Sequence, residues 1–188
     1  MKELKSLVYV LFILLSCLNL YSQGKVDPLT AVYDYKDNKP LFLKLKATKY
    51  DNISFPFYID RVIDSTDNKI IGYTRKGIFN VRRPLCLRGG TKDAIENYIY
   101  QINKARGGFI PLHIVISKVS ILEDLNTFNA KTNVIVTMKF YSLGSLLYTV
   151  SSSEWHTYLD GTKMHDNNLK KAIKNCLTSF SDFYQKPI

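Results

Sequence analysis

"KTNVIVTMKFYSLGSLLYTVSSSEW", residues 131–155, decides the fold. Two runs rich in β-branched and aromatic residues flank Leu143-Gly144-Ser145, and apolar side chains recur at every second position, the period of a strand with one buried face. A two-residue Gly144-Ser145 loop would set Met138 opposite Ser151 and Phe140 opposite Thr149, whereas a three-residue loop sets Met138 opposite Val150 and Phe140 opposite Tyr148. The second arrangement joins apolar to apolar. Because the buried face sets register, the spacing predicts the three-residue loop.

Outward from this hairpin, "IPLHIVISKVSIL" at residues 110–122 supplies a third strand and completes an antiparallel meander. Downstream, Leu169, Ala172, Ile173, Cys176, Phe180 and Phe183 or Tyr184 form the apolar stripe of a closing helix, with Lys170, Lys171 and Lys174 facing away. Upstream, Gly89-Gly90 breaks the chain, Thr91 fits an N-cap, Asp93 suits the first turn, and Ala94, Ile95, Tyr98, Ile99 and Ile102 share one helical face before Gly107-Gly108. Earlier still, Leu41, Leu43, Leu45 and Ala47 alternate with Phe42, Lys44 and Lys46, and strands follow at residues 53–63 and 70–74, with a short one at 78–81. Strands, helix, three strands and helix predict an α+β two-layer sandwich, an antiparallel-rich sheet with two helices packed on one face.

The N-terminus reads as a secretory signal. An apolar run from Leu7 to Leu20 follows Lys2 and Lys5, and the polar Ser22-Gln23-Gly24-Lys25 closes it short of the ~20 apolar residues a membrane-spanning helix needs. Cys17 sits in a lipobox-like Leu14-Leu15-Ser16-Cys17 and is a lipidation candidate, but Leu18, Leu20 and Tyr21 continue the apolar core where a polar tether would be expected. Cleavage after Ser22 is the favoured outcome. The expected organisation is a signal peptide at 1–22, an extended leader at 23–40 and one α+β domain at 41–188, exported to the periplasm or outer membrane of a bacterium. At 46% hydrophobic and 13% aromatic the composition is globular, and the net charge of +10 stays basic without the signal segment. Export argues against nucleic acid as the partner of that charge. Cys86 and Cys176 could pair in an oxidising envelope, but a lone pair of cysteines is no disulfide framework and both are read as thiols.

"FYIDRVIDSTDNKIIGYTRKG", the amphipathic helix, the meander and the closing "NNLKKAIKNCLTSFSDF" together resemble small bacterial envelope lipoproteins. These are the YajG-like proteins and, more loosely, auxiliary lipoproteins of ABC-type lipid transport systems. In that group a strand ends in an aspartate, a polar turn follows, and an Ile-Gly pair opens the next strand; Asp64, Ile71 and Gly72 occupy the matching places. The resemblance covers residues 53–184 and implies a non-enzymatic binding or accessory role with no catalytic residues.

Three stretches carry candidate chemistry. Asp60, Asp64, Asp67 and Asn68 offer oxygens to a hard cation, yet they lack the spacing of a calcium loop, and Asp and Asn are ordinary turn residues, so a hairpin turn and no metal site is expected. Residues 151–167 gather Ser151, Ser152, Ser153, Glu154, His156, Asp160, His165 and Asp166, the best case for a small hydrolase, although no G-x-S-x-G or H-E-x-x-H motif accompanies it. That is the alternative function. His113, inside an apolar strand, reads as a satisfied core or edge residue. Residues 68–92 hold Lys69, Arg75, Lys76, Arg82, Arg83, Arg88 and Lys92 with no acid among them, ending at a helix N-terminus. Arg75, Arg82, Arg83, Arg88 and Lys92 are therefore the candidate anion ligands, for the phosphate of a lipid headgroup or of lipopolysaccharide. The expectation is a non-catalytic envelope protein that binds such a ligand or a partner protein, possesses no cofactor, and contacts the membrane peripherally.

Expressed in a bacterium with its own signal, the protein should be released after Ser22 without acyl chains. Intact mass decides this: a diacylglycerol-modified N-terminus at Cys17, lost in Cys17→Ala, is the opposing result.

Overall fold

The computed structural model describes residues 39–49, 51, 53, 55–76, 81–103, 111–125, 130–158 and 162–185. The expected signal segment, Cys17, and the leader up to residue 38 lie outside them. Asn38–Ile188 form one compact unit. Its strands are β1 (Leu41–Leu43), β2 (Tyr58–Asp64), β3 (Gly72–Lys76), β4 (Val81–Leu87), β5 (Pro111–Leu125), β6 (Ala130–Ser142) and β7 (Ser145–Tyr158). Its helices are α1 (Thr91–Ile102) and α2 (Thr162–Tyr184). The result is an α+β fold, one mixed seven-stranded sheet in the order β1-β4-β3-β5-β6-β7 with β2 also beside β5.

β5 is long enough to need two partners on one side. β6 runs antiparallel along its whole length. On the other side, β2 pairs parallel with the first half, Tyr58 to Asp64 against Pro111 to Ile116, and β3 meets the second half at Gly72 and Ile121. β2 and β3 thus lie end to end along β5, pointing the same way. The hairpin expected at Asp64–Asn68 does not form, because both strands are already committed to β5; the turn is an excursion between two collinear strands. Ser65 carries the ladder past the end of β2, its N–H and Oγ both donating to Ile116 O at 2.9 Å, and Ile121 N resumes it by donating to Ile71 O at 2.7 Å. Within the excursion, Asp64 Oδ1 accepts from Thr66 N at 2.9 Å and Thr66 Oγ1 at 2.7 Å, while Asp67 takes φ 54°, a left-handed conformation that Asp tolerates.

Gly72 is required where it stands. A Cβ there would lie 2.2 Å from Ile121 O, so only a residue without a side chain lets β3 approach β5. Beyond that contact β3 turns away to pair antiparallel with β4, and β4 pairs parallel with β1. β4 replaces the short strand expected at 78–81 and begins at Val81; residues 77–80 are outside the described set. It was hidden by Pro84, which interrupts a strand pattern. Here Pro84 is tolerated because β1 covers only Leu85, Cys86 and Leu87, leaving the position before them without a ladder on that side. The strand expected at 53–63 is shorter: ordered pairing starts at Tyr58, and Ile53 makes an isolated bridge to Asn103.

In the meander, Met138 does face Val150 and Phe140 does face Tyr148. The means differ from the expectation. The turn is the two-residue Leu143-Gly144, with φ 49° and 83°, the paired positive values of a type I′ turn, and the extra residue of β7 is absorbed next to the turn, between the Tyr148 and Leu146 pairings. Side-chain pairing across the buried face fixed the register, and a bulge adjusted the loop to it.

Both helices cover one face. Ala94, Ile95, Tyr98, Ile99 and Ile102 of α1, and Leu169, Ala172, Ile173, Cys176, Leu177 and Phe180 of α2, belong to one core cluster with Leu112, Ile114, Ile116, Ile121, Val134, Val136, Met138 and Phe140 of the sheet. Phe180 is its hub: it stacks on Phe140 with centroids 4.2 Å apart and meets Phe57 edge-on at 5.0 Å. Three local expectations need correction. Thr91 is the first helical residue after an N-cap at Gly90, and its hydroxyl donates to Asn68 O at 3.3 Å. Lys174 does not face away; its ammonium pairs with Asp51 at 3.2 Å and ties α2 to the segment before β2. Burial pulls the Asp51 carboxyl up, but hydrogen bonds from Thr48 N and Oγ1, both 2.8 Å, and Lys174 outweigh it and hold the group below its usual range. Residues 151–167 are not a loop with a strand end: β7 runs to Tyr158 and α2 starts at Thr162.

Gly72→Ala should destabilise the fold by about 2–3 kcal/mol, the scale of forced overpacking, in urea unfolding. Gly89→Ala, where φ is +87° and nothing lies within 4 Å, should cost only about 1 kcal/mol. Equal losses at the two positions would refute the close-approach argument.

Candidate functional site

The face of the sheet opposite the helices carries no helix among the described residues, and strand parity decides what it displays. Across β3 and β4, Arg75 lies directly opposite Arg82, Tyr73 opposite Pro84, and Thr74 opposite Arg83. Thr74 is buried on the helix side, so Arg75 and Arg82 share the open face while Arg83 leaves on the other. The Arg82 guanidinium lies 4.1 Å from the centre of the Tyr73 ring, a cation–π contact along the diagonal of the ladder. Arg83 Nε donates to Lys39 O at 2.8 Å, against the chain entering β1. Arg88 is exposed just past β4, its backbone N–H donating to Leu43 O at 2.9 Å. Lys92, in the first turn of α1, pairs with Glu96 at 2.9 Å and Asp93 at 3.4 Å; the Glu96 hydrogen bond leads in raising its pKa.

The five candidate ligands therefore do not converge. Two of them, Arg75 and Arg82, form a cationic pair, and the other three are dispersed over different faces. Nor is the basic stretch free of acids in space: Glu123 Oε2 accepts from Arg75 N at 2.9 Å, replacing the backbone ladder where β3 leaves β5. Asp93 and Glu96 occupy the start of α1 that the sequence had offered to an anion.

Residues 151–166 divide by the same parity. Ser151 and Ser153 stand on the open face, Ser151 Oγ 3.0 Å from Thr137 Oγ1 and Ser153 Oγ donating to Asn133 Oδ1 at 2.7 Å. Glu154 points to the helix side, where Asn175 Nδ2 donates to it and Lys171 Nζ pairs with it, both at 2.6 Å. His156 faces Thr132 in the ladder, and His165 is buried in α2. Burial lowers the His165 pKa, with the Glu123 charge acting against it; burial raises that of Asp166, against the Lys170 charge and the Lys44 backbone. Ser151 and Ser153 are thus separated by the sheet from His156 and His165. Asp160 lies outside the described residues.

His113 is satisfied as a strand residue, its Nε2 3.0 Å from Asp60 Oδ2 and its Nδ1 3.3 Å from Arg61 Nη2. The guanidinium can only donate, which makes Nδ1 the acceptor and Nε2–H the donor to Asp60. Asp60 is so engaged, and Asp64 closes its own turn. Among the described residues no group of three or more His, Cys, Asp or Glu is placed to hold a metal ion. Cys86 and Cys176 are free thiols; burial raises both, and pushes Cys176 up to about 12.

Sequence reasoning missed two residues of the open face. Trp155 is 68% exposed and Leu122 56% exposed, large apolar side chains left in water. The signal was present: Trp155 stands at the same strand parity as Ser151 and Ser153, away from Met138 and Phe140.

No family model and no curated protein matches this chain. Solved structures do. One, a crystal structure described only as an uncharacterised protein, covers 79% of this chain and 100% of its own, at 8% identity and a TM-score of 0.46. Another, protein XCC0632 from Xanthomonas campestris, of the family DUF330, covers 76% of this chain and 88% of its own, at 7% identity and a TM-score of 0.35. Neither is described as YajG-like.

Asn keeps the Oδ1 that accepts from Thr66 at position 64 and tolerates the left-handed φ at position 67. Replacing Asp64 and Asp67 together by Asn should therefore change stability by no more than about 1 kcal/mol. Calcium should leave the Tm of the native protein unchanged; a rise that the double variant loses would restore the metal reading.

Proposed function

We propose that the chain is a non-catalytic, exported envelope protein of the YajG-like or transport-auxiliary kind, and that it binds an anionic envelope component through the open face of its sheet. The carrying observation is the direct opposition of Arg75 and Arg82 across the β3–β4 ladder. Like charges opposite one another in an antiparallel pair are destabilising, and a bound phosphate between forked guanidinium donors would relieve that repulsion. The Arg82 guanidinium lies over the Tyr73 ring, which holds it on the open face. Attraction of this kind is screened within about 8 Å at physiological salt, so binding is salt-sensitive. The hydrolase alternative finds less support, since it needs a serine beside a histidine: Ser151 and Ser153 stand on the face opposite His156, and Ser152, which shares the face of His156, is two side-chain positions away along β7 with Glu154 between them.

Arg75→Gln with Arg82→Gln should weaken co-sedimentation with phosphatidylglycerol-containing vesicles roughly thirtyfold, at about 1 kcal/mol for each cation near an anionic surface. The same substitutions remove both the repulsion and the Arg82 contact with the Tyr73 ring, and should leave a single cooperative unfolding transition. Lys170→Gln with Lys171→Gln, on the helix side, makes the same change in net charge. If that pair loses binding equally, or if the native protein never binds such vesicles at low salt, the assignment fails.

A further inference from the structure

Leu122 of β5, Asn133 of β6 and Trp155 of β7 are successive neighbours in a single row across the sheet. One residue beyond the Gly72–Ile121 contact, Tyr73 leaves β3 on the same side as Leu122, carrying the Arg82 guanidinium over its ring. The row therefore runs from Trp155 through Leu122 to Tyr73, and the Arg75–Arg82 pair flanks it two residues further along β3, joined to it by the Arg82 guanidinium over the Tyr73 ring. Single exposed apolar residues are ordinary on protein surfaces, but two in one row with an aromatic ring and paired cations make a patch of defined composition. Strand parity adds Lys118, Lys131 and Lys139 to this face, with Asp124 opposite Lys131. Cations prevail around the row. A large amphipathic ring beside cations matches the headgroup layer of a bilayer, where indole rings partition and phosphates lie within reach of guanidinium groups.

We propose that this row is the line along which the protein lies on an anionic phospholipid bilayer, with Trp155 and Leu122 entering the headgroup layer and Arg75, Arg82 and Lys131 engaging phosphates. The assignment rests on the anion-binding reading above and adds its occupant and orientation: the open face lies on the membrane and the helices point away. Charge complementarity selects this occupant, since Arg75, Lys118, Lys131 and Lys139 give the face an excess of cations that an uncharged bilayer or a basic partner would not match.

The protein contains a single tryptophan, so its fluorescence reports Trp155 alone. With the native protein and vesicles of phosphatidylglycerol in phosphatidylcholine, emission should move to shorter wavelength and be quenched by lipids brominated on the upper acyl chain. Vesicles of phosphatidylcholine alone should do neither. Trp155→Ala should lower the vesicle partition coefficient about tenfold, the equivalent of one interfacial anchor, and Leu122→Asp should abolish the emission shift with Trp155 still in place. Co-sedimentation with unchanged emission and no quenching would overturn this assignment and leave the anion-binding reading standing. Absence of co-sedimentation removes both. An emission shift that appears on raising protein concentration without vesicles would give the row to a second copy of the chain and also overturn the proposal.

Discussion

In the strand ladder, one residue pair joins the two parts of the sheet. β1, β4 and β3 reach the β2–β5–β6–β7 part through the contact of Gly72 with Ile121, where the missing side chain lets two backbones close to hydrogen-bonding range. Everything on the N-terminal side of that contact depends on it: the β3–β4 ladder, the pairing of β4 with β1, and the placing of Arg75, Arg82 and Tyr73 relative to Leu122. Glu123 supports the contact from one turn of the pleat further on by accepting the Arg75 N–H that β5 no longer pairs. A polar side chain thus takes over a backbone function at the point where the ladder ends, giving the Arg75 N–H a partner within the protein.

The two faces of the sheet have separate tasks. On one, aromatic packing around Phe180 and the apolar stripes of α1 and α2 supply the burial that makes a domain of this size stable. On the other, which no helix covers among the described residues, lie the cationic pair, the Tyr73 ring, Leu122 and Trp155. Strand alternation is the physical device that separates them. It also separates Arg82 from Arg83, and Ser151 and Ser153 from His156, although each set is contiguous in the chain.

Where periodicity was unbroken, the fold was legible. The α1 stripe from Ala94 to Ile102 is buried as its spacing predicts, and the β6–β7 register follows from matching apolar residues on the inner face. β4 was not legible because Pro84 and two arginines disguise a strand whose neighbour is only three residues long. The collinearity of β2 and β3 could not be read either, since the turn chemistry of Asp64 to Asn68 serves an excursion as well as a hairpin, and only the length of β5 distinguishes them. The Lys174–Asp51 tie spans two distant segments and leaves no local trace. Of the candidate site, the residue types were legible and their grouping was not. A strand at Val81–Leu87 has to be known before Arg82 can be assigned to Arg75, and the β5–β6–β7 register before Trp155 can be assigned to Leu122.

Among the described residues β7, 14 residues long, closes the sheet at one margin and is paired with β6 alone. Half of its backbone donors and acceptors therefore look outward, and of its side chains only Glu154 carries a fixed charge, one already engaged by Lys171. No lysine, arginine or proline interrupts it, the usual means by which natural proteins keep such a margin from recruiting another strand. Among the devices that blunt such a margin, it has the bulge at Leu147. Conditions that slow folding, or that crowd newly emerged chains together, would expose a template for cross-strand aggregation.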